Sequence, residues 1–209
     1  MLNPDFATLI KSYDILIFTE TKTDDLDDLK LPHDYTFYAK HRKKCKKKSG
    51  GIVVVYRKHL SKFLNFINSE SEFVQWVEIS KNLSNLRENI LLGCIYIPPE
   101  NTRYTSEESF LEIEDELIKY STDTKNIAII GDFNARTSTV SDYIIPDENL
   151  LEILDVNDFY DNDDNIFSYL HLKDKNIPIE RYSKDRGRVN RYGNMFIELC
   201  KRSGIYICN

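Results

Sequence analysis

Apolar residues along this chain fall into short blocks with two different spacings. Phe6, Leu9, Ile10 and Tyr13 recur at near-helical intervals behind Asn3-Pro4, an N-cap followed by a proline suited to the first helical position, so a helix is predicted over 3–13. Asp14–Thr19 (DILIFT) is a continuous apolar run whose shortness favours a buried strand. Tyr35–Ala39 alternates weakly as a strand, and Gly51–Tyr56 (GIVVVY), β-branched and preceded by glycine, reads as a central one. Phe73–Ser80 sets Phe73, Gln75, Val77 and Ile79 against Val74, Trp76 and Glu78 on the opposite face. Ile90–Ile97 is another buried run, ended by Pro98-Pro99. A helix is predicted over 107–120, with Thr105 and Glu108 as a capping box and Phe110, Ile113 and Leu117 on one face. Asn126–Ile130 is a buried strand running straight into Gly131-Asp132-Phe133-Asn134.

The pattern weakens from about 136 to 189. Five Asp fall within 155–164, which reads as a solvated, irregular acidic connection unless something binds it. A last helix is expected at 190–203, capped by Asn190 and stopped by Gly204, with Met195, Phe196, Leu199 and Cys200 apolar; Ile205–Cys208 reads as the opening of a further strand. Many strands with three helices indicate an α+β or layered α/β fold in one domain over the 209 residues.

Composition narrows the partners. The net charge is −6 and the pI about 5.3, against nucleic-acid binding by bulk charge alone. Seven Lys or Arg nevertheless crowd into 40–48 (Lys40, Arg42, Lys43, Lys44, Lys46, Lys47, Lys48). They read either as a DNA-phosphate contact or as a solvated loop, and also mimic a nuclear localisation signal. No apolar run reaches the roughly 18–20 residues of a membrane span, and the first residues show no secretory signal. The four cysteines form no C-x-x-C pair, so reduced, buried thiols in an intracellular protein, nuclear or cytoplasmic, are expected.

Four positions carry candidate chemistry. Asp132 and Asn134 follow a strand; if extended they share one side, where the carboxylate takes a proton from water and the amide donates to a phosphate oxygen. G-D-x-N is equally good turn chemistry. Glu20, at a strand exit, is either a hard-cation ligand or an inert exposed acid. Tyr96, stiffened by the two prolines, is either a phosphate donor or a core tyrosine.

Taken in order, DILIFTET (14–21), GGIVVVY (50–56), YIPP (96–99) and IIGDFN (129–134) resemble the endonuclease/exonuclease/phosphatase family. Asn190-Arg191-Tyr192-Gly193, Glu198-Leu199-Cys200 and Gly204-Ile205 are similar to the endonuclease domain of non-LTR (LINE-type) retrotransposons. The resemblance implies a four-layer α/β sandwich, two packed mixed β-sheets flanked by helices. It implies Glu20 as the ligand of Mg²⁺ (or Mn²⁺), Asp132 activating water, and Asn134 and Tyr96 holding the scissile phosphate. The lysines 43, 44, 46, 47 and 48 are the candidate DNA contacts. The reaction implied is nicking of DNA to leave a 3′-hydroxyl and a 5′-phosphate. The same fold also serves abasic-site repair nucleases and phosphatases acting on lipid or inositol phosphates.

The chain departs from the family pattern at both ends. The family's opening W-N-x-N-G type motif and its closing Asp and S-D-H tripeptide have no counterpart here, and His33, His41, His59 and His171 do not substitute. The expectation is therefore a domain truncated at both ends, with little or no nuclease turnover and a tendency to self-associate through unpaired sheet edges. A non-catalytic remnant that binds nucleic acid or a partner chain is the alternative from another class.

Overall fold

The structure, a computed structural model, describes residues 3–42, 49–84, 86–104, 108–122, 124, 126–144, 172, 176–184 and 187–208. The chain divides into two compact units, Met1–Phe133 and Asn134–Asn209.

The first unit opens with α1 (Pro4–Lys11), whose N-cap Asn3 accepts from the N–H of Asp5 at 2.9 Å. β1 (Ile15–Thr19), β2 (Tyr35–Lys40) and β3 (Ile52–Arg57) follow, then a 3₁₀ turn at Lys58–Phe63. β4 (Leu64–Ile67), β5 (Val74–Ile79), the four-residue α2 (Lys81–Ser84), β6 (Ile90–Tyr96), α3 (Glu108–Ser121) and β7 (Ile127–Asp132) complete it. β1, β3 and β2 form one sheet with β3 central, antiparallel throughout. β4, β5, β6 and β7 form the other, antiparallel except for the parallel β6–β7 pair. Only this second sheet is mixed, where the resemblance implied two.

The alternation within β3 explains the layering. Ile52, Val54 and Tyr56 point one way and pack with Leu64, Val77, Cys94 and Tyr96 of the second sheet. Val53 and Val55 point the other way, onto Ile10 of α1 and Tyr35. All five residues are buried, and each buried branched side chain contributes about 1.5–3 kcal/mol. On the far side of the second sheet, Trp76 meets Tyr120 of α3 edge-on at 5.5 Å. Its indole N–H donates to the Glu116 carboxylate at 2.6 Å. That carboxylate also accepts from the hydroxyl of Ser69 and the N–H groups of Glu70 and Ser71, which ties α3 to the β4–β5 turn. The order helix, sheet, sheet, helix is the expected α+β sandwich.

Two expectations of burial need correction. β1 lies at a sheet edge and is half-buried along its whole length. Among the described residues β7 is also an edge strand, and Ile130 on it is 53% exposed. β4 was not foreseen.

The acidic stretch 155–164, on which the expectation of an irregular connection rested, lies outside the described residues; in the second unit the described segments 134–144, 176–184 and 187–190 form no helix or strand. Arg181 holds them: it donates to the carbonyl of Val140 (2.6 Å) and the hydroxyl of Thr137 (2.8 Å), and lies 4.0 Å from the buried Asp142 carboxylate. The stretch 145–171 lies outside the described residues. The helix α4 (Arg191–Ser203) is capped by Asn190 and ends at Gly204, whose φ of 64° is left-handed. Ile205–Cys208 is not a strand. Its backbone donors are taken up elsewhere, Ile205 by the carbonyl of Cys200 (3.2 Å) and Ile207 by the Asp142 carboxylate (2.6 Å). Cys94 and Cys200 are buried free thiols, as expected, whereas Cys208 is exposed and Cys45 lies outside the described residues.

Candidate active site

Parallel pairing aligns the ends of β6 and β7. Tyr96 is the register partner of Asp132, and the N–H of Ile97 donates to the Asp132 carbonyl at 2.9 Å. Gly131 permits this approach. Its φ is +151°, and a Cβ there would lie 1.9 Å from the carbonyl oxygen of Ile95. The strand therefore runs through Gly131 and ends at Asp132, which is exposed.

Glu20 follows β1 directly. Its φ of 53° and the same value at Lys22 are left-handed, a conformation that costs a non-glycine residue about 1–3 kcal/mol and concentrates at functional sites. Hydrogen bonding to the β3 side continues past the strand, with the N–H of Lys22 donating to Gly50 at 2.8 Å. Gly50 in turn lies against the Tyr96 ring: a Cβ there would be 3.4 Å from Tyr96 Cε1. The exits of β1 and β6 thus meet through Gly50, and β7 joins them at Tyr96.

The charges act on one another across this rim. The Tyr96 phenol is pushed up to about 12, first by burial and then by the negative charges of Glu20 and Asp132, while Arg42 opposes them. Two carboxylates from different sheets therefore bear on a single hydroxyl. At neutral pH that hydroxyl keeps its proton and is a donor. Glu20 is half exposed and paired with Lys22 at 3.0 Å.

Both carboxylates are hard oxygen donors open to solvent. Mg²⁺ takes one or two carboxylates and fills its remaining positions with water and phosphate oxygens, so this pair fits such an ion. Among the described residues no group of three or more His, Cys, Asp or Glu is arranged to hold a metal ion by itself, unlike an all-protein metal cage.

Asn134 opens the second unit, and its backbone has left the strand conformation, with φ 47°. The expectation that it shares a side with Asp132 by strand alternation does not hold, because alternation ends where the extended chain ends. The candidate DNA contacts Lys43, Lys44, Lys46, Lys47 and Lys48 lie outside the described residues. The other two members of the basic run face protein. Lys40 donates to the carbonyl of Ser69 at 2.9 Å, and burial lowers its pKa against the pull of Glu116, Glu72 and Glu112. Arg42 lies 5.2 Å from the Phe73 ring and 5.8 Å from that of Tyr104, with Nε 3.4 Å from the Glu72 carboxylate. Its place beside Tyr96 was not foreseen; in the sequence it is hidden among lysines.

His33 and His59 are exposed, while His41 binds the carbonyl of Thr23 at 3.0 Å and faces Asp25 at 3.4 Å. His171 lies outside the described residues.

A family model described as Endonuclease/Exonuclease/phosphatase family matches residues 2–169. The chain belongs to the endonuclease/exonuclease/phosphatase family. No curated protein matches it in sequence. Membership of the endonuclease/exonuclease/phosphatase family makes it a nuclease- or phosphodiesterase-type domain, of a kind that generally uses divalent metals. Among the described residues no helix is long and apolar enough to cross a membrane.

Proposed function

We propose that this domain is of the retrotransposon-endonuclease type and engages a phosphodiester of DNA, together with Mg²⁺ or Mn²⁺, at the rim formed by Glu20, Tyr96 and Asp132. The observation that carries the reading is the meeting of three strand exits: Tyr96 is the register partner of Asp132, and Gly50, whose carbonyl accepts from the N–H of Lys22 two residues past Glu20, lies against the Tyr96 ring. The retrotransposon branch is supported by Asn190-Arg191-Tyr192-Gly193 and the Leu199-Cys200 and Gly204-Ile205 pairs that follow.

Each side chain then has a role its chemistry allows. Glu20 would hold the ion, which would supply positive charge to offset that developing on the phosphoryl and leaving oxygens. The Tyr96 phenol donates to a non-bridging phosphate oxygen, and the Asn134 carboxamide donates to another. Asp132 takes a proton from the attacking water. The water oxygen bonds to phosphorus as the P–O3′ bond breaks, and the 3′ oxygen takes a proton from solvent. The products are a 3′-hydroxyl and a 5′-phosphate. The lysines 43, 44, 46, 47 and 48 add a salt-dependent grip on the DNA backbone.

The test is fluorescence anisotropy of a labelled DNA duplex, with Mg²⁺ and with EDTA. Mg²⁺ is expected to tighten binding about tenfold in the wild type and to do nothing in Glu20→Ala. Equal affinity under all these conditions would contradict the reading.

A further inference from the structure

Asn190 caps α4, and its side chain does more than a cap requires. Its Oδ1 accepts from the N–H of Gly193 at 2.8 Å, the capping bond, and also from the N–H of Arg136 at 2.7 Å. Its Nδ2 donates to the carbonyl of Asn134 at 3.0 Å. The Asn190 backbone N–H donates to the carbonyl of Arg136 at 3.2 Å. One residue thus grips both sides of the peptide run 134–136 and the first turn of a helix over fifty positions away.

The helix is built to allow this grip. A Cβ at Gly193 would lie 2.0 Å from the Arg136 carbonyl oxygen, so only glycine lets the first turn approach that backbone. The gripped run is also one that needs holding, because Asn134 sits at φ 47°. Asparagine tolerates that region better than most residues, but an isolated loop populates other conformations. A hydrogen bond to the Asn134 carbonyl holds the backbone conformer from which its carboxamide projects.

We propose that Asn190 is a positioning residue for Asn134, fixing through the 134–136 backbone the carboxamide that holds the scissile phosphate. This rests on the proposed role of Asn134. It also gives Asn190 and Gly193 a use beyond starting a helix: they fasten α4 to the segment that follows Asp132 in the chain.

Two substitutions separate positioning from capping. Asn190→Asp keeps an acceptor for Arg136 and Gly193 and removes only the donor to Asn134. Asn190→Ser keeps a neutral cap and removes the reach, which controls for the charge that Asp adds. Serine, aspartate and asparagine are nearly equal as caps, so circular dichroism and the melting temperature report whether the helix survives. Phosphate engagement is read as the affinity of the full chain for a fluorescein-labelled DNA duplex, beside Asn134→Ala.

Asn134→Ala is expected to weaken binding about tenfold, as a lost hydrogen bond to a charged oxygen does. Both Asn190 variants are expected to weaken it to the same extent at unchanged helicity. The ¹³C′ resonance of Asn134 is expected to move in both, since its carbonyl loses a donor. Wild-type affinity in the Asn190 variants, with Asn134→Ala still weakened, would overturn the positioning role and leave the proposed function standing. Wild-type affinity in all three would overturn both.

Discussion

The Tyr96 phenol and the Asp132 carboxylate belong to register partners at the ends of two parallel strands, and the charge of one acts on the proton of the other. Tyr96→Phe removes the hydroxyl and leaves the ring against Gly50. It is expected to lower affinity for a DNA duplex in Mg²⁺ about tenfold, with an unchanged denaturation midpoint. Unaltered affinity would place the phenol outside the phosphate site.

Gly131 is the backbone condition for that pairing. Gly131→Ala would force a Cβ against the Ile95 carbonyl at a φ hostile to side chains. The expected loss is about 3 kcal/mol or more in denaturant unfolding. A loss below about 1 kcal/mol would mean that β6 and β7 do not approach as described.

Glu116 is a structural counterpart. Glu116→Ala strands the indole N–H of Trp76 and the N–H groups of Glu70 and Ser71. Buried donors left without acceptors lead to an expected cost of about 3 kcal/mol. The chain has one tryptophan, so intrinsic fluorescence reports directly on the change. Glu116→Gln, which keeps an acceptor oxygen, is expected to cost less; equal losses would contradict the assignment.

Alkaline pH should unfold the protein through three buried groups. Cys94 and Cys200 are pushed up from 9.0 to about 12 by burial, and Tyr96 from 10.0 to about 12. In the unfolded chain these groups lose protons first, so raising the pH favours unfolding. Their contribution is complete below pH 9 and is lost as pH climbs from 9 to 12. Melting temperature against pH is expected to fall across that window. In Cys94→Ala the fall is expected to be shallower, and an identical slope would exclude Cys94 as a contributor.

The sandwich was legible because its strands carry their own signals. GIVVVY is apolar on both faces, as a strand covered by a sheet on one side and α1 on the other must be. The caps Asn3, Asn190 and Gly204 marked helix ends that the backbone bears out. β4 escaped notice because LNFI is four residues long and follows a 3₁₀ turn with no period of its own. Ile205–Cys208 is apolar enough for a strand, but the end of the preceding helix takes the Ile205 donor and the Asp142 carboxylate takes that of Ile207. At the site, residue types were readable and backbone angles were not. Nothing in G-D-F-N announces that Asp132 is still extended while Asn134 is left-handed. Arg42 was lost for a different reason, since a run of like charges does not show which member turns inward.

Convergence of Glu20, Tyr96 and Asp132 on one divalent ion is tested by titrating Mn²⁺ into ¹⁵N-labelled protein and following paramagnetic broadening of amide signals. Residues 19–22, 95–97 and 131–133 are expected to broaden first and together, and Glu20→Ala is expected to abolish the effect. Broadening centred on Asp24, Asp25 and Asp27 that spares those three strand ends, or broadening unchanged in Glu20→Ala, would contradict it.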